Sequence, residues 1–158
     1  MRERVVGSNG SAAGDNLDHG RLDLEQIATI EVTSENPEFP IESVFSPKDG
    51  PGWRAAEKGE QQIRIIFDEP VSLRRIQVTF HETESERTQE IAIRWSSSAV
   101  GPTMEILRQR WNFSPSGSTT EREDFTVDLQ SVSVLELSIQ PDVSESGVFA
   151  SLASWRLS

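Results

Sequence analysis

A chain of 158 residues with 26 acidic and 15 basic side chains carries a formal net charge of −11, which argues against a nucleic-acid surface or an anionic membrane face, because both need a basic footprint. Cysteine is absent, so there is no disulfide frame, thiolate nucleophile or Cys-based zinc site. No apolar run approaches the ~20 residues of a membrane span, and the start lacks the apolar core of about 7–15 residues that marks a secretory signal, so the chain reads as cytoplasmic.

Residues 1–20 are rich in Gly, Ser, Asn and Asp and read as a flexible tail. The remainder, 21–158, is the right size for one domain. Ile27–Thr33 is β-branched enough for a first strand, with a helix over 22–30 as its rival. Residues 34–60 form the longest connection. Pro37, Pro40, Pro47 and Pro51 with Gly50, Gly52 and Gly59 forbid a long helix or a central strand there. A helical turn at Ile41–Phe45 is compatible with that punctuation. A connection this long is usually functional or packed as a cap, and Trp53 lies within it.

Three runs with period-2 alternation follow: Ile63, Ile65, Phe67; then Ile76, Val78, Phe80; then Ile91, Ile93, Trp95. Alternation of this kind marks strands with one buried and one wet face. Asp68–Val71 separates the first two as a turn, and the polar loop His81–Gln89 separates the second and third. Met104–Phe113 is a fifth strand, with a helix as the rival. Phe125, Val127 and Leu129 mark a sixth, and Leu135, Leu137 and Ile139 a seventh across the tight Ser131–Ser133. Phe149–Leu157 is the eighth. The fold class expected is all-β, an eight-stranded antiparallel jelly-roll β-sandwich.

If successive strands run antiparallel, the connections alternate between two poles. Residues 34–60, 81–89, 114–120 and 140–148 fall at one pole, and 68–72, 98–103 and 130–133 at the other. Every long polar connection shares the first pole. A rigid sandwich crowned by long loops is how binding modules of this class make a site; loops that merely cap the core are the alternative.

Ser34-Glu35-Asn36-Pro37, then Gly52-Trp53-Arg54-Ala55, then Gly59 to Asp68 (GEQQIRIIFD) resembles the galactose-binding-like, or discoidin (coagulation factor V/VIII type C), superfamily. Ile76-Gln77-Val78, Ile91–Ser97 and the closing Ala150–Leu157 continue the pattern, so the resemblance covers about residues 27–157. It implies a jelly roll with its ligand site at one loop-bearing end. Members include carbohydrate-binding modules, lipid-binding blood-factor domains and modules associated with proteins or DNA repair; they bind and rarely catalyse. Galactose-type members often place a His at the end of the strand corresponding to Phe80-His81, with Arg and Asn from neighbouring strands. His81, Arg110 and Asn112 take those parts by resemblance. Many members also hold a structural calcium. Asp49 is the first-loop carboxylate that would serve it, but Ser154 stands where the closing-strand Glu is expected, so no metal and no cofactor is assigned.

A sugar site needs an aromatic face for the C–H side of the ring and planar polar groups for the hydroxyls. The ligand-binding candidates are Trp53, Arg54, His81, Arg110, Trp111 and Asn112, with Glu82, Arg87, Phe113 and Phe149 at the same pole. Trp53 reads equally as a plug closing the sandwich, and Trp111 and Phe113 as packing beneath the loops. The three Glu of His81–Arg87 read as a solvated hairpin or, with His81, a cation site. The only other histidine is His19, and no P-loop, GxSxG or HExxH appears. The expected function is a non-catalytic module binding carbohydrate, not an enzyme. A protein-interaction module inside the cell is the alternative, and a hydrolase on this scaffold a more remote one. Expected partners are a carbohydrate or a protein, with no nucleic acid and no membrane.

Overall fold

The computed structural model describes residues 2–5, 8–11, 24–46 and 50–158. In chain order the elements are β1 (Arg2–Val5), β2 (Ser8–Ser11), the helical turn α1 (Leu24–Ile27), β3 (Ala28–Val32), a 3-10 turn (Ile41–Phe45), β4 (Trp53–Lys58), β5 (Gln61–His81), β6 (Arg87–Ser96), β7 (Met104–Phe113), β8 (Thr120–Gln140), β9 (Phe149–Leu152) and β10 (Ser154–Leu157). The main sheet runs β2-β1-β3-β5-β8-β6-β7, with β10 added against β5, while β4 and β9 form a separate two-stranded ladder. All pairings are antiparallel except β1 with β3. This is an all-β sandwich, as the alternation predicts.

Two stretches expected as turns are bends inside continuous strands. Asp68–Val71 lies within β5 and Ser131–Ser133 within β8. The register between these strands slips repeatedly from Ile66 to Arg75. Pro70 has no N–H to give the ladder, and Ser131 has a left-handed φ of 58°, so the pairing bulges rather than breaks. A straight strand of 21 residues would span about 70 Å. Both ends of β8 nevertheless border the same loops. The Glu82 N–H donates to Thr119 O at 2.8 Å beside its start. Arg87 Nη1 donates to Pro141 O at 2.7 Å just past its end. The β5–β8 ladder therefore folds back on itself and supplies both layers, and the long connections meet at one pole.

In one layer Ile65 of β5 stands opposite Ile30 of β3 and Leu135 of β8. In the other Val78 of β5 stands opposite Trp155 of β10. The alternating residues Ile63, Ile65, Ile76, Val78, Phe80, Ile91, Ile93, Leu137 and Ile139 are all buried between the layers. Burying such side chains contributes about 1.5–3 kcal/mol each before the entropy of ordering is counted.

Other differences from the sequence reading are local. β4 sits inside the connection read as a loop. It is no central strand, since it pairs only with β9, and the prolines of 37–51 precede it. The last strand is divided at Ala153, whose N–H donates to Thr79 O at 2.9 Å. β3 starts after the turn α1 rather than at Ile27. The stretch expected as a tail holds, among its described residues, β1 and β2, with β1 pairing the open edge of β3. His19 and Asp49 lie outside the described residues.

Candidate functional site

Ser34 ties the long connection to the sheet. Its hydroxyl donates to Gln61 Oε1 at 2.7 Å and accepts the N–H groups of Ala56 at 3.1 Å and Glu57 at 3.2 Å. Its carbonyl accepts Trp53 Nε1 at 3.1 Å. β4 is thereby held at the pole. Just before it, Gly52 has φ +78°, and a Cβ there would stand 2.6 Å from Leu152 O. Only glycine allows this approach to β9.

The outcome is a pocket of about 270 Å³ whose wall includes Phe39, Pro51, Arg54, His81, Glu82 and Ser151. Arg54 leaves β4 with its guanidinium 4.9 Å from the centroid of the Phe39 ring, a cation–π contact that fixes its plane. His81, the last residue of β5, has Nδ1 3.1 Å from Thr120 Oγ1. This partner is a hydroxyl, not a carboxylate, so the imidazole is oriented without an acid behind it. That suits hydrogen bonding to a ligand better than proton abstraction.

The loop under His81 is held from below. Glu82 accepts the backbone N–H groups of Glu84 at 3.1 Å and Ser85 at 3.3 Å, and Arg87 Nε at 2.7 Å. Partial burial pushes the Glu82 carboxyl up, but Arg87 and the two N–H groups outweigh it and hold it below the usual range. Arg87 also donates to Gln89 Oε1 at 3.0 Å and lies 4.7 Å from the Phe113 ring centroid. Gln89 Nε2 in turn donates to Glu121 Oε1 at 3.0 Å. Burial pushes Glu121 up to about 8, with Glu123 beside it adding to the rise.

Three of the six sequence candidates come together and three do not. Trp53, Arg54 and His81 border the pocket. Trp53 is only 1% exposed, so its indole is structural, as the plug reading had it. Arg110 points elsewhere on β7 and donates to Glu90 Oε1 at 3.0 Å. Trp111 is half-buried, with Nε1 bonded to Ser118 Oγ at 3.0 Å. Asn112 accepts Thr88 Oγ1 at 2.6 Å and borders a different hollow, beside Arg87 and Asp142. Trp53 and Phe113 are buried, so the accessible aromatic faces at this pole, besides half-buried Trp111, are half-buried Phe39 and Phe149, which is 41% exposed. Phe39 was missed because it sits between Pro37 and Pro40, where no periodicity exists to flag it. On the far side of Arg54 lies a second hollow of about 400 Å³, bordered by Asn36, Pro37, Ala55, Ala56 and Phe149.

The calcium implied by the resemblance finds little support in the closing strand. Ser154 brings a hydroxyl to the start of β10 where a carboxylate would be needed.

No protein-family model matches the chain, and neither does any curated protein sequence. Solved structures do match. The CBM32-5 module of CpGH89 from Clostridium perfringens, in complex with GalNAc-β-1,3-galactose, aligns at a TM-score of 0.65 and 15% identity, over 87% of this chain and 99% of that one. The CBM32 of AlyQ, in complex with 4,5-unsaturated mannuronic acid, aligns at 0.63 and 15% identity, over 89% and 98%. The family 32 module of C. perfringens NanJ, in complex with galactose, aligns at 0.60 and 15% identity, over 82% and 92%. At these identities the likeness is one of fold.

Proposed function

We propose that this chain is a non-catalytic carbohydrate-binding module whose ligand sits in the pocket between Arg54 and His81. The observation that carries the reading is the convergence of Arg54, stacked on Phe39, and His81 at the loop-bearing pole. Guanidinium and imidazole supply planar hydrogen-bonding groups, and Phe39 supplies apolar surface. Support comes from the shared fold with modules solved in complex with galactose, GalNAc-β-1,3-galactose and an unsaturated mannuronic acid. A protein-interaction role draws no comparable support from the site.

The test is a glycan array followed by calorimetric titration with galactose and related sugars. Arg54→Ala and His81→Ala should each weaken binding by about tenfold or more, as expected for losing a hydrogen bond from a charged or strongly polar group. Folded protein that binds no glycan on the array would overturn the proposal.

A further inference from the structure

We infer that the outer face of the β4–β9 ladder continues the pocket into a track for an acidic oligosaccharide, with Arg54 and Lys58 taking carboxylates and Phe149 a sugar ring. The inference rests on the carbohydrate reading of the same pole and adds the chemical class of the ligand.

Strand geometry puts the parts on one face. On β4, Trp53 and Ala55 are buried while Arg54, Ala56, Glu57 and Lys58 are exposed. On β9, Phe149 is exposed and Ser151 half-buried, while Ala150 and Leu152 are buried. The register sets Arg54 opposite Ser151 and Lys58 opposite Phe149. Arg54 and Lys58 are four residues apart on β4 but their partners only two apart on β9, because the register shifts between them, so the two cations lie closer than the ~13 Å of a straight strand. Small Ala56 lies between them and leaves the floor low. Lys58 Nζ stands 5.8 Å from the Phe149 ring centroid, as the Arg54 guanidinium stands over Phe39. Two cation–aromatic pairs thus mark the two ends of one short path.

Charge supplies the class. Six arginines (64, 75, 87, 94, 108 and 110) are ion-paired with carboxylates. Among the described residues Arg54, Lys58, Arg74 and Arg122 make no such pair, and of these four only Arg54 and Lys58 lie against an aromatic ring. The hollow that Arg54 shares with Phe149 is bordered by an amide, a proline and two alanines, with no carboxylate in its wall. Two unpaired cations on one strand, each held against a ring in a protein of net charge −11, suit a ligand that brings its own carboxylates on rigid sugar rings.

The experiment compares trigalacturonate with galactotriose, which differ by carboxylate against hydroxymethyl, on the full chain by calorimetry at low and high salt. The triuronide should bind about tenfold more tightly at low salt, and that margin should shrink at 0.5 M salt. Lys58→Gln should cut the ratio of the two affinities by about two- to fivefold, the range of an exposed charge pair. Phe149→Ala should weaken the triuronide further. Equal affinities, or a ratio indifferent to Lys58→Gln, would overturn the track while leaving the carbohydrate reading in place. Failure of both sugars to bind a protein shown folded by its melting curve would take both readings down. Poly-glutamate that binds as well as the triuronide would also overturn the inference, since the face would then be reading charge and not sugar.

Discussion

Arg87 donates its Nε–H to Glu82 at 2.7 Å while its own side chain is 1% exposed. The pair joins a surface loop to the interior. Glu82 shapes the loop that follows His81, and Arg87 reaches on to Gln89 and the Pro141 carbonyl. A buried guanidinium needs this many acceptors because its desolvation exceeds what one ion pair returns. Arg87→Met therefore leaves Glu82, Gln89 and Pro141 short of a donor at once. The expected cost is about 3–5 kcal/mol, read as a fall in melting temperature of roughly 6–20 °C. Arg87→Lys should recover little of it, because an ammonium cannot span three acceptors in a plane. Retention of wild-type stability in Arg87→Met would show the network to be ornamental.

Glu121 lies at the other end of that network and gives it a pH dependence. Its folded pKa is raised from 4.5 to about 8 by burial, with Glu123 adding to it. A raised carboxyl pKa means the native state binds the proton more tightly than the unfolded chain. The contribution is fully present below pH 4.5 and is lost as pH rises through about 8. Glu3, buried on β1, is likewise pushed up, to about 10, by burial and by Glu35 and Glu42, and it acts in the same direction. Urea denaturation from pH 4.5 to 9 should show stability falling by an amount on the order of a few kcal/mol. Glu121→Gln should flatten the part of the slope below pH 8. An unchanged slope in that variant would rule Glu121 out as its source.

Alternation along β5, β6, β8 and β10 made the sandwich legible in the sequence, because a buried face needs apolar residues at every second position. Antiparallel parity likewise located the loop-bearing pole. The bends were not legible as bends. Pro70 and Ser131 read as turn residues, and whether they end a strand or fold one depends on what pairs across from them. Phe39 and the β4–β9 ladder escaped for a related reason. A two-stranded ladder among prolines has no period to detect, and its residues are assembled by Ser34 and Gly52. Arg110 and Asn112 were chosen by resemblance and strand position. Their partners, Glu90 and Thr88, are settled by the β6–β7 register, which local sequence does not reveal.

Gly52 is the narrowest point in the construction of the pocket. Gly52→Ala places a methyl 2.6 Å from the Leu152 carbonyl at a φ of +78°. Neither side can yield cheaply, because one is backbone and the other a left-handed conformation that L-residues avoid. The expected loss is about 1–3 kcal/mol. It should be accompanied by weaker sugar binding, because β4 carries Arg54 and β9 carries Ser151. The checks are a melting curve and a galactose titration of the same variant. Full binding in a destabilised protein would mean that Arg54 is positioned independently of the ladder.

The separation of the sequence candidates by the fold can be tested directly. Arg110 is bound to Glu90 on an exposed strand face, and Asn112 to Thr88 beside the Arg87 hollow. Neither borders the pocket that holds Arg54 and His81. Exposed polar pairs contribute about 0–1 kcal/mol, so Arg110→Ala and Asn112→Ala should keep nearly the wild-type melting temperature. They should also keep galactose affinity within about twofold, against the roughly tenfold loss expected for His81→Ala. If Arg110→Ala or Asn112→Ala instead abolished binding in a folded protein, the ligand would sit on the β6–β7 side of the pole. Arg87, Asp142 and Ser144 would then border it, and His81 would be an exposed loop histidine.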